Sequence, residues 1–258
     1  LRTRSASTQL FRRYYSTSLR FSKARQLQCD VELDIESFNA NEPIVIPNVF
    51  SDLPAIKKWF VPSTTNPGAL DLNASYLKPY DMSMVPLELT SASPETHQNS
   101  FDQFEAPLSL LIAHMTGPPT PDTRLYLAQH SLHDLPSDLQ NDLPTPSLIF
   151  RIGRGDIYAS SVWMGRPPTR TPLHRDPNPN LFVQLAGQKV VRLMRPEVGR
   201  AVYEKVRAEV GRAGGKANMR GQEMMEGTEM EALENAVWNE QGAMEEGVEA
   251  TLERGDGL

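Results

Sequence analysis

The sequence predicts a mainly β fold with flanking helices, built as a small antiparallel barrel or jelly roll. Three observations carry that expectation. Between residues 147 and 194 the short β-like runs SLIFRI, DIYASSVWM, NLFVQLAG and KVVRLM follow one another with Gly and Pro clusters between them, a spacing that favours an antiparallel barrel over βαβ units. Upstream, PIVIPNVF and RLYLAQ add further strand candidates of the same short kind. The 258 residues, 39% apolar and 22% charged, are enough for one large domain with a buried core and too few for two full catalytic domains.

The elements follow in chain order. Residues 1–28 carry seven Lys or Arg (Arg2, Arg4, Arg12, Arg13, Arg20, Lys23 and Arg25) and no acid, and are rich in Ser and Thr. Such a segment reads as a mitochondrial targeting leader, with Arg13-Tyr14-Tyr15-Ser16 resembling an Arg-x-Tyr-Ser cleavage pattern; a disordered basic tail is the plainer alternative. We set this leader outside the fold and assign residues 29–258 to the domain. PIVIPNVF, from Pro43, is a β-branched run between prolines and reads as a buried strand. SDLPAIKKWF follows as a helix with Ser51 or Asp52 as N-cap and Pro54 in its first turn. Residues 61–100 are polar, with short strand candidates and little periodicity. LSLLIAHM is a short apolar helix that stops before Gly117-Pro118-Pro119, and His114 on it reads as a packed residue. Alternation in RLYLAQ marks a strand, and LHDLPSDLQNDL a helical connection. From about residue 197 to 249 the composition turns to Ala, Glu, Met and Arg, a helical insertion whose acidic, glycine-containing centre lies around 211–227.

Composition also limits function. The net charge of −6 leaves about −13 on the residues after the leader, so broad attraction to phosphate backbones is disfavoured. No run of about 18 apolar residues is present, so no membrane-spanning helix is expected. Mean hydropathy is −0.43. The lone Cys29 excludes an intrachain disulfide framework and a cysteine-based zinc site.

The chemistry concentrates in TPLHRDPNPN, residues 171–180, ahead of LFVQLAGQKVVRLM. In extended chain, residues i and i+2 share a face, so His174 and Asp176 can bind one metal ion together and supply two ligands of a 2-His-1-carboxylate triad. A hairpin turn at Gly187-Gln188 would pair Ala186 with Lys189 and set Gln184 opposite Val191. Asn180, Phe182, Gln184, Lys189, Val191 and Leu193 would then share one face. A lysine on an inward face is costly without an anion, and a dicarboxylate would be such an anion. Gly153-Arg154-Gly155 lacks the rest of a phosphate loop and reads as a turn.

Residues 171–189 resemble the core of JmjC-type, cupin-like oxygenases that use Fe(II) and 2-oxoglutarate. YLAQHSLHDLP, from Tyr126, resembles the stretch ahead of that core in the JmjC protein hydroxylase subgroup. The likeness extends more loosely from PIVIPNVF to the last residue. It implies a double-stranded β-helix, the cupin-like jelly roll. By position it implies His174 and Asp176 as catalytic iron ligands, and Tyr126, Thr171, Asn180 and Lys189 as residues holding 2-oxoglutarate, with Lys189 on the distal carboxylate. Trp163-Met164-Gly165 matches a pocket-lining strand end. Dioxygen is the second cosubstrate, and a protein or peptide side chain is the substrate, with methyl-lysine and tRNA as alternatives within the class.

One departure stands out. In the resembled family a segment like LERGDGL precedes a strand and turn that supply a distal histidine, yet no histidine follows His174, and His97, His114, His130 and His133 lie upstream. The expectation is therefore a jelly roll incomplete at the C-terminus, cut off before its last ligand. The alternative is a non-catalytic cupin-like binding or scaffold protein.

Overall fold

The computed structural model describes residues 19–27, 39, 42–92, 99–151, 156–210, 227–238 and 244–258. Cys29, His97, the Arg13–Ser16 pattern, Gly153-Arg154-Gly155 and residues 211–226 of the insertion lie outside the described residues. In chain order the strands are β1 (Leu19–Lys23), β2 (Arg25–Gln26), β3 (Ile44–Val45), β4 (Phe60–Pro62), β5 (Leu70–Leu72), β6 (Met84–Ala92), β7 (Asn99–Pro107), β8 (Thr123–Ser131), β9 (Ser161–Gly165), β10 (Lys189–Met194) and β11 (Met244–Leu252). The α-helices are α1 (Pro54–Lys58), α2 (Ala74–Leu77), α3 (Leu108–Thr116), α4 (Ser137–Asn141), α5 (Pro196–Val210) and α6 (Gly227–Trp238).

The chain divides into two units. One comprises Arg25–Thr169, Pro179–Lys189 and Thr251–Leu258. Its centre is an antiparallel sheet in the order β7-β6-β8-β9. Val85, Leu87, Leu125, Leu127 and Val162 bury their side chains with Trp59, Leu77, Leu111 and Leu139 from the helical segments. Alternation explains this face: in β8, Leu125 and Leu127 are buried while Arg124 is exposed, and the register shifts at Gln129, whose φ is +50°, so that His130 is the next buried residue. Residues 61–100, which show little periodic signal, thus contain β6 and part of β7, paired along their full nine residues.

Beside the sheet lies Asp142, whose surface is fully buried. It accepts hydrogen bonds from Lys58 Nζ at 2.6 Å, Trp59 Nε1 at 2.8 Å and Tyr76 Oη at 2.6 Å. Its backbone carbonyl receives Ala55 N–H at 2.9 Å, so the residue that holds the Lys58 and Trp59 side chains also satisfies a donor at the start of α1. The cap of α1 differs from expectation. Leu53 occupies the N-cap without a side-chain bond, Ser51 Oγ turns to Asn48 O, and Asp52 pairs with Lys57.

The second half of this unit corrects the run of strands expected between 147 and 194. Residues 147–150 form a 3-10 turn in place of a strand, and the strand within DIYASSVWM begins only at Ser161. Residues 171–180, between the expected strands, are irregular, with bends at 173 and at 177–178. Residues 182–184 pair with the C-terminal residues. Phe182 and Leu258 exchange both backbone bonds at 2.9 Å, Gln184 N–H donates to Asp256 O at 3.0 Å, and Gly255 N–H donates to Gln184 O at 2.8 Å. The proposed pairing of Gln184 with Val191 is therefore not formed, since β10 lies beside β11. Gly187 does take the left-handed conformation that a turn there needs, with φ +68°.

The other unit comprises residues up to Ala24, Arg170–Asn178 and Val190–Ala250. Its sheet has the order β1-β11-β10, with β1 and β11 parallel. Tyr203 and Val206 of α5 bury against Leu233 of α6, and Leu173 packs on the same cluster. The insertion is helical as expected, but β11 already begins at Met244, inside the range assigned to it. Fold boundaries differ at the other end as well. Leu19–Lys23 and Arg25–Gln26 pair as strands, so the fold takes in residues that the leader assignment had set aside.

Candidate functional site

His174 and Asp176 are brought together. Their Nε2 and Oδ1 atoms lie 3.5 Å apart, with side chains about half exposed at 47% and 51%. His174 Nδ1 lies 2.9 Å from Pro172 O, a carbonyl that can only accept. Nδ1 is thus the ring atom that donates to the carbonyl, and Nε2 is the one turned toward the carboxylate. A hydrogen bond of this kind fixes the tautomer a metal-binding histidine needs. The predicted i, i+2 adjacency holds in a loop outside any sheet, which Pro172, Pro177 and Pro179 keep out of a helix. Leu173, between Pro172 and His174, roots the loop on the α5–α6 cluster. Among the described residues, no group of three His, Cys, Asp or Glu side chains stands together as a metal site. The donors present are thus one imidazole nitrogen and one carboxylate, both of the types that Fe(II) accepts.

Lys189 is half-buried at the start of β10, and its Nζ sits 5.1 Å from the centre of the Phe182 ring. Phe182 and Lys189 thus meet as the shared-face reading required, although the hairpin behind that reading is absent. Burial pushes the Lys189 ammonium below its ordinary pKa. Among the described residues no acidic side chain forms an ion pair with it; the aromatic face supplies its partner. An anion arriving at this ammonium would offset its burial cost.

Tyr126 lies in the middle of its sheet, opposite Glu88 on β6 and Gly165 on β9. Its phenol is pushed up to about 12, first by burial and then by the Glu88 carboxylate, so it stays protonated and can donate a hydrogen bond at any physiological pH. Gly165 is required where it stands, since a Cβ would overlap the Tyr126 ring. Trp163 is exposed, whereas Met164 packs partly into the core. Thr171 and Asn180 are both exposed.

Two residues near Tyr126 are absent from the sequence-based site. His114 Nε2 accepts the Leu125 N–H at 3.3 Å, and Arg166 Nη2 reaches three carbonyls at the end of α3. The only sequence signal was an arginine following Trp-Met-Gly at the close of a strand and directly before two prolines, where the ladder must stop.

Comparison with known proteins agrees with this architecture. A family model described as a cupin-like domain matches residues 32–258. A lysine-specific demethylase, JMJ30 of Arabidopsis thaliana, is 38% identical over 78 residues, 30% of this chain and 18% of its own length. Lysine-specific demethylase 8 of Danio rerio is 38% identical over 80 residues, 30% of this chain and 20% of its own. Jumonji C domain-containing protein 5 of Drosophila melanogaster is 30% identical over 172 residues, 64% of this chain and 39% of its own. The matched stretch thus spans about a fifth of the first two relatives. Mainly β sheets with flanking helices, a family match over nearly the whole described fold and JmjC-named relatives agree: the chain belongs to the cupin-like, JmjC-type domain family.

Proposed function

We propose that this chain carries the metal and cosubstrate residues of an Fe(II)- and 2-oxoglutarate-dependent oxygenase acting on a protein side chain. The observation that carries the reading is the His174–Asp176 pair, with Nδ1 on the Pro172 carbonyl and Nε2 turned to the carboxylate. In this reading His174 Nε2 and an Asp176 oxygen bind the metal. Lys189 pairs with the distal carboxylate of 2-oxoglutarate, which supports a lysine kept half-buried over an aromatic ring. Tyr126, protonated throughout the physiological range, donates to a carboxylate oxygen, and Thr171 and Asn180 add polar contacts. Fe(II) with 2-oxoglutarate and dioxygen supplies the oxidising power: one oxygen atom enters a substrate C–H bond and the other leaves in succinate, with release of carbon dioxide.

Names of relatives bear on the substrate. Two of those compared are named lysine-specific demethylases, which supports a protein substrate and makes removal of a lysine methyl group, through hydroxylation of its carbon, one form of this activity. Hydroxylation of an unmethylated side chain is the other form. We also propose that residues upstream of β1 are a mitochondrial leader. Arg13–Ser16 precedes Leu19, so cleavage there leaves β1 whole. A fluorescent protein fused behind residues 1–18 should collect in mitochondria; diffuse signal throughout the cell rejects the leader.

The central test is calorimetric titration of this chain with 2-oxoglutarate, using Mn(II) in place of Fe(II). Binding should require the metal. It should weaken about thirtyfold or more on Lys189→Ala, the usual loss when one partner of a desolvated charge pair is removed. It should vanish on His174→Ala. Binding that survives loss of both His174 and Asp176 would overturn the site, and metal-independent behaviour would favour the non-catalytic scaffold.

A further inference from the structure

Beside Tyr126, two residues outside its own strand and outside the His174–Asp176 loop, His114 and Arg166, make bonds between α3 and the strand ends. β9 ends at Gly165, which pairs with Tyr126, so the next residue of β8, Leu125, stands opposite Arg166 where the ladder has stopped. A backbone N–H at such a place needs another acceptor, and His114 Nε2 provides it at 3.3 Å. Arg166 meanwhile turns its guanidinium to the end of α3. One nitrogen, Nη2, lies 2.5 Å from His114 O, 2.8 Å from Met115 O and 2.6 Å from Gly117 O.

The carbonyls of the last turn are otherwise accounted for. Ala113 O receives Gly117 N–H at 2.9 Å and Ile112 O receives Thr116 Oγ1 at 2.8 Å, while Arg166 faces the carbonyls of His114 and Met115 in the last turn and of Gly117 just past it. A cation at a helix C-terminus is also favoured by the helix dipole. α3 is therefore bonded through His114 to β8 and through Arg166 to the end of β9, the two strands that meet at the Tyr126–Gly165 pair. Gly165 lies directly against the Tyr126 ring.

We propose that Arg166 and His114 are positioning residues that together clamp the Tyr126 end of β8 to β9 and fix where the phenol presents its hydroxyl. Its bearing on 2-oxoglutarate rests on Tyr126 being a cosubstrate residue; the clamp itself does not.

Two measurements on the full chain separate these. Amide hydrogen exchange at Leu125, followed by NMR, reads the clamp without any ligand. It should rise about tenfold or more in Arg166→Met and in His114→Leu, with Arg166→Lys intermediate, while protection in the middle of β6 is unchanged. Calorimetry with Mn(II) and 2-oxoglutarate reads the consequence. Affinity should fall about tenfold in Arg166→Met, and the same substitution should add nothing in a Tyr126→Phe background, since groups that act through one another are non-additive. Unchanged exchange at Leu125 in both Arg166→Met and Arg166→Lys overturns the proposal, as does an affinity loss equally large in the Tyr126→Phe background. If Tyr126→Phe alone leaves affinity unchanged, the cosubstrate reading of Tyr126 fails, and exchange at Leu125 still decides the clamp.

Discussion

A carboxylate with no exposed surface needs donors on every side, and Asp142 has Lys58, Trp59 and Tyr76. Burial alone would raise its pKa, but hydrogen bonds from Lys58, Tyr76 and Trp59 outweigh that and hold it below the ordinary carboxylate value. The sign of the linkage follows. A lowered native pKa gives stability that is complete above the unfolded value near about 4 and is lost as pH falls through the native one. Asp142→Asn keeps the shape but removes the charge and turns an acceptor into a donor facing donors. It should cost about 3 kcal/mol, the order found when one partner of a buried pair is removed. Urea unfolding at pH 7 measures that loss, and the same series from about pH 5 to about pH 2 should show a flatter decline for the variant than for the unsubstituted chain. Equal stability at pH 7 would mean that the three donors find water instead. None of this was legible in the sequence, because the partners of Asp142 lie 66 to 84 residues away. His174 and Asp176 were legible for the opposite reason: two residues apart, with prolines on both sides, they have few ways not to meet.

At the scale of elements, legibility follows how each segment is stabilised. α3 and the helical connection at 132–141 show in the sequence because their apolar spacing is local and their ends carry Pro or Gly. β6 buries Val85 and Leu87 two apart, but Pro86 and the polar residues flanking them hide the alternation. Its assignment depends on β7 and β8 on either side, and those pairings are non-local. The opposite error occurred at SLIFRI, an apolar run read as a strand, of which residues 147–150 fold into a single tight turn. Leu148 alone of that turn is deeply buried, and Phe150 is 64% exposed. Hydrophobic content without a partner edge does not make a strand. The His174–Asp176 pair and the facing of Lys189 were legible as spacing, and Tyr126, Thr171 and Asn180 through a family resemblance, whereas the bonding around Tyr126 was not legible at all. It is made of one helix end and one strand end whose meeting only the folded chain brings about.

At the scale of the whole chain, residues distant in sequence are tied together by the last four residues. Gly255, Asp256, Gly257 and Leu258 bond to Ile46 and Phe50 on one side and to residues 182–184 on the other. Ile46, Phe50 and Leu148 form the apolar cluster beneath, with Leu181 and Val183 against it. Gly255 allows the turn by its φ of +90°, and a Cβ there would come within 3.1 Å of the Ser51 backbone, so no larger residue fits without a shift. Asp256 holds this turn together. Its two carboxylate oxygens accept the N–H of Asn48 and of Glu253, each at 2.8 Å, and the residue is only 9% exposed. Contacts spanning about two hundred residues carry a large loop-closure cost and are expected to form late, so what secures them should influence unfolding more than folding. Asp256→Ala leaves two backbone donors without their acceptors. It should destabilise the fold by about 2 kcal/mol and lower the melting temperature by about 6 °C. In stopped-flow experiments most of that loss should appear as faster unfolding, with the folding rate nearly unchanged. An equal loss in the folding rate would show instead that the closing turn is already built in the transition state, and that the C-terminal residues organise the unit rather than seal it.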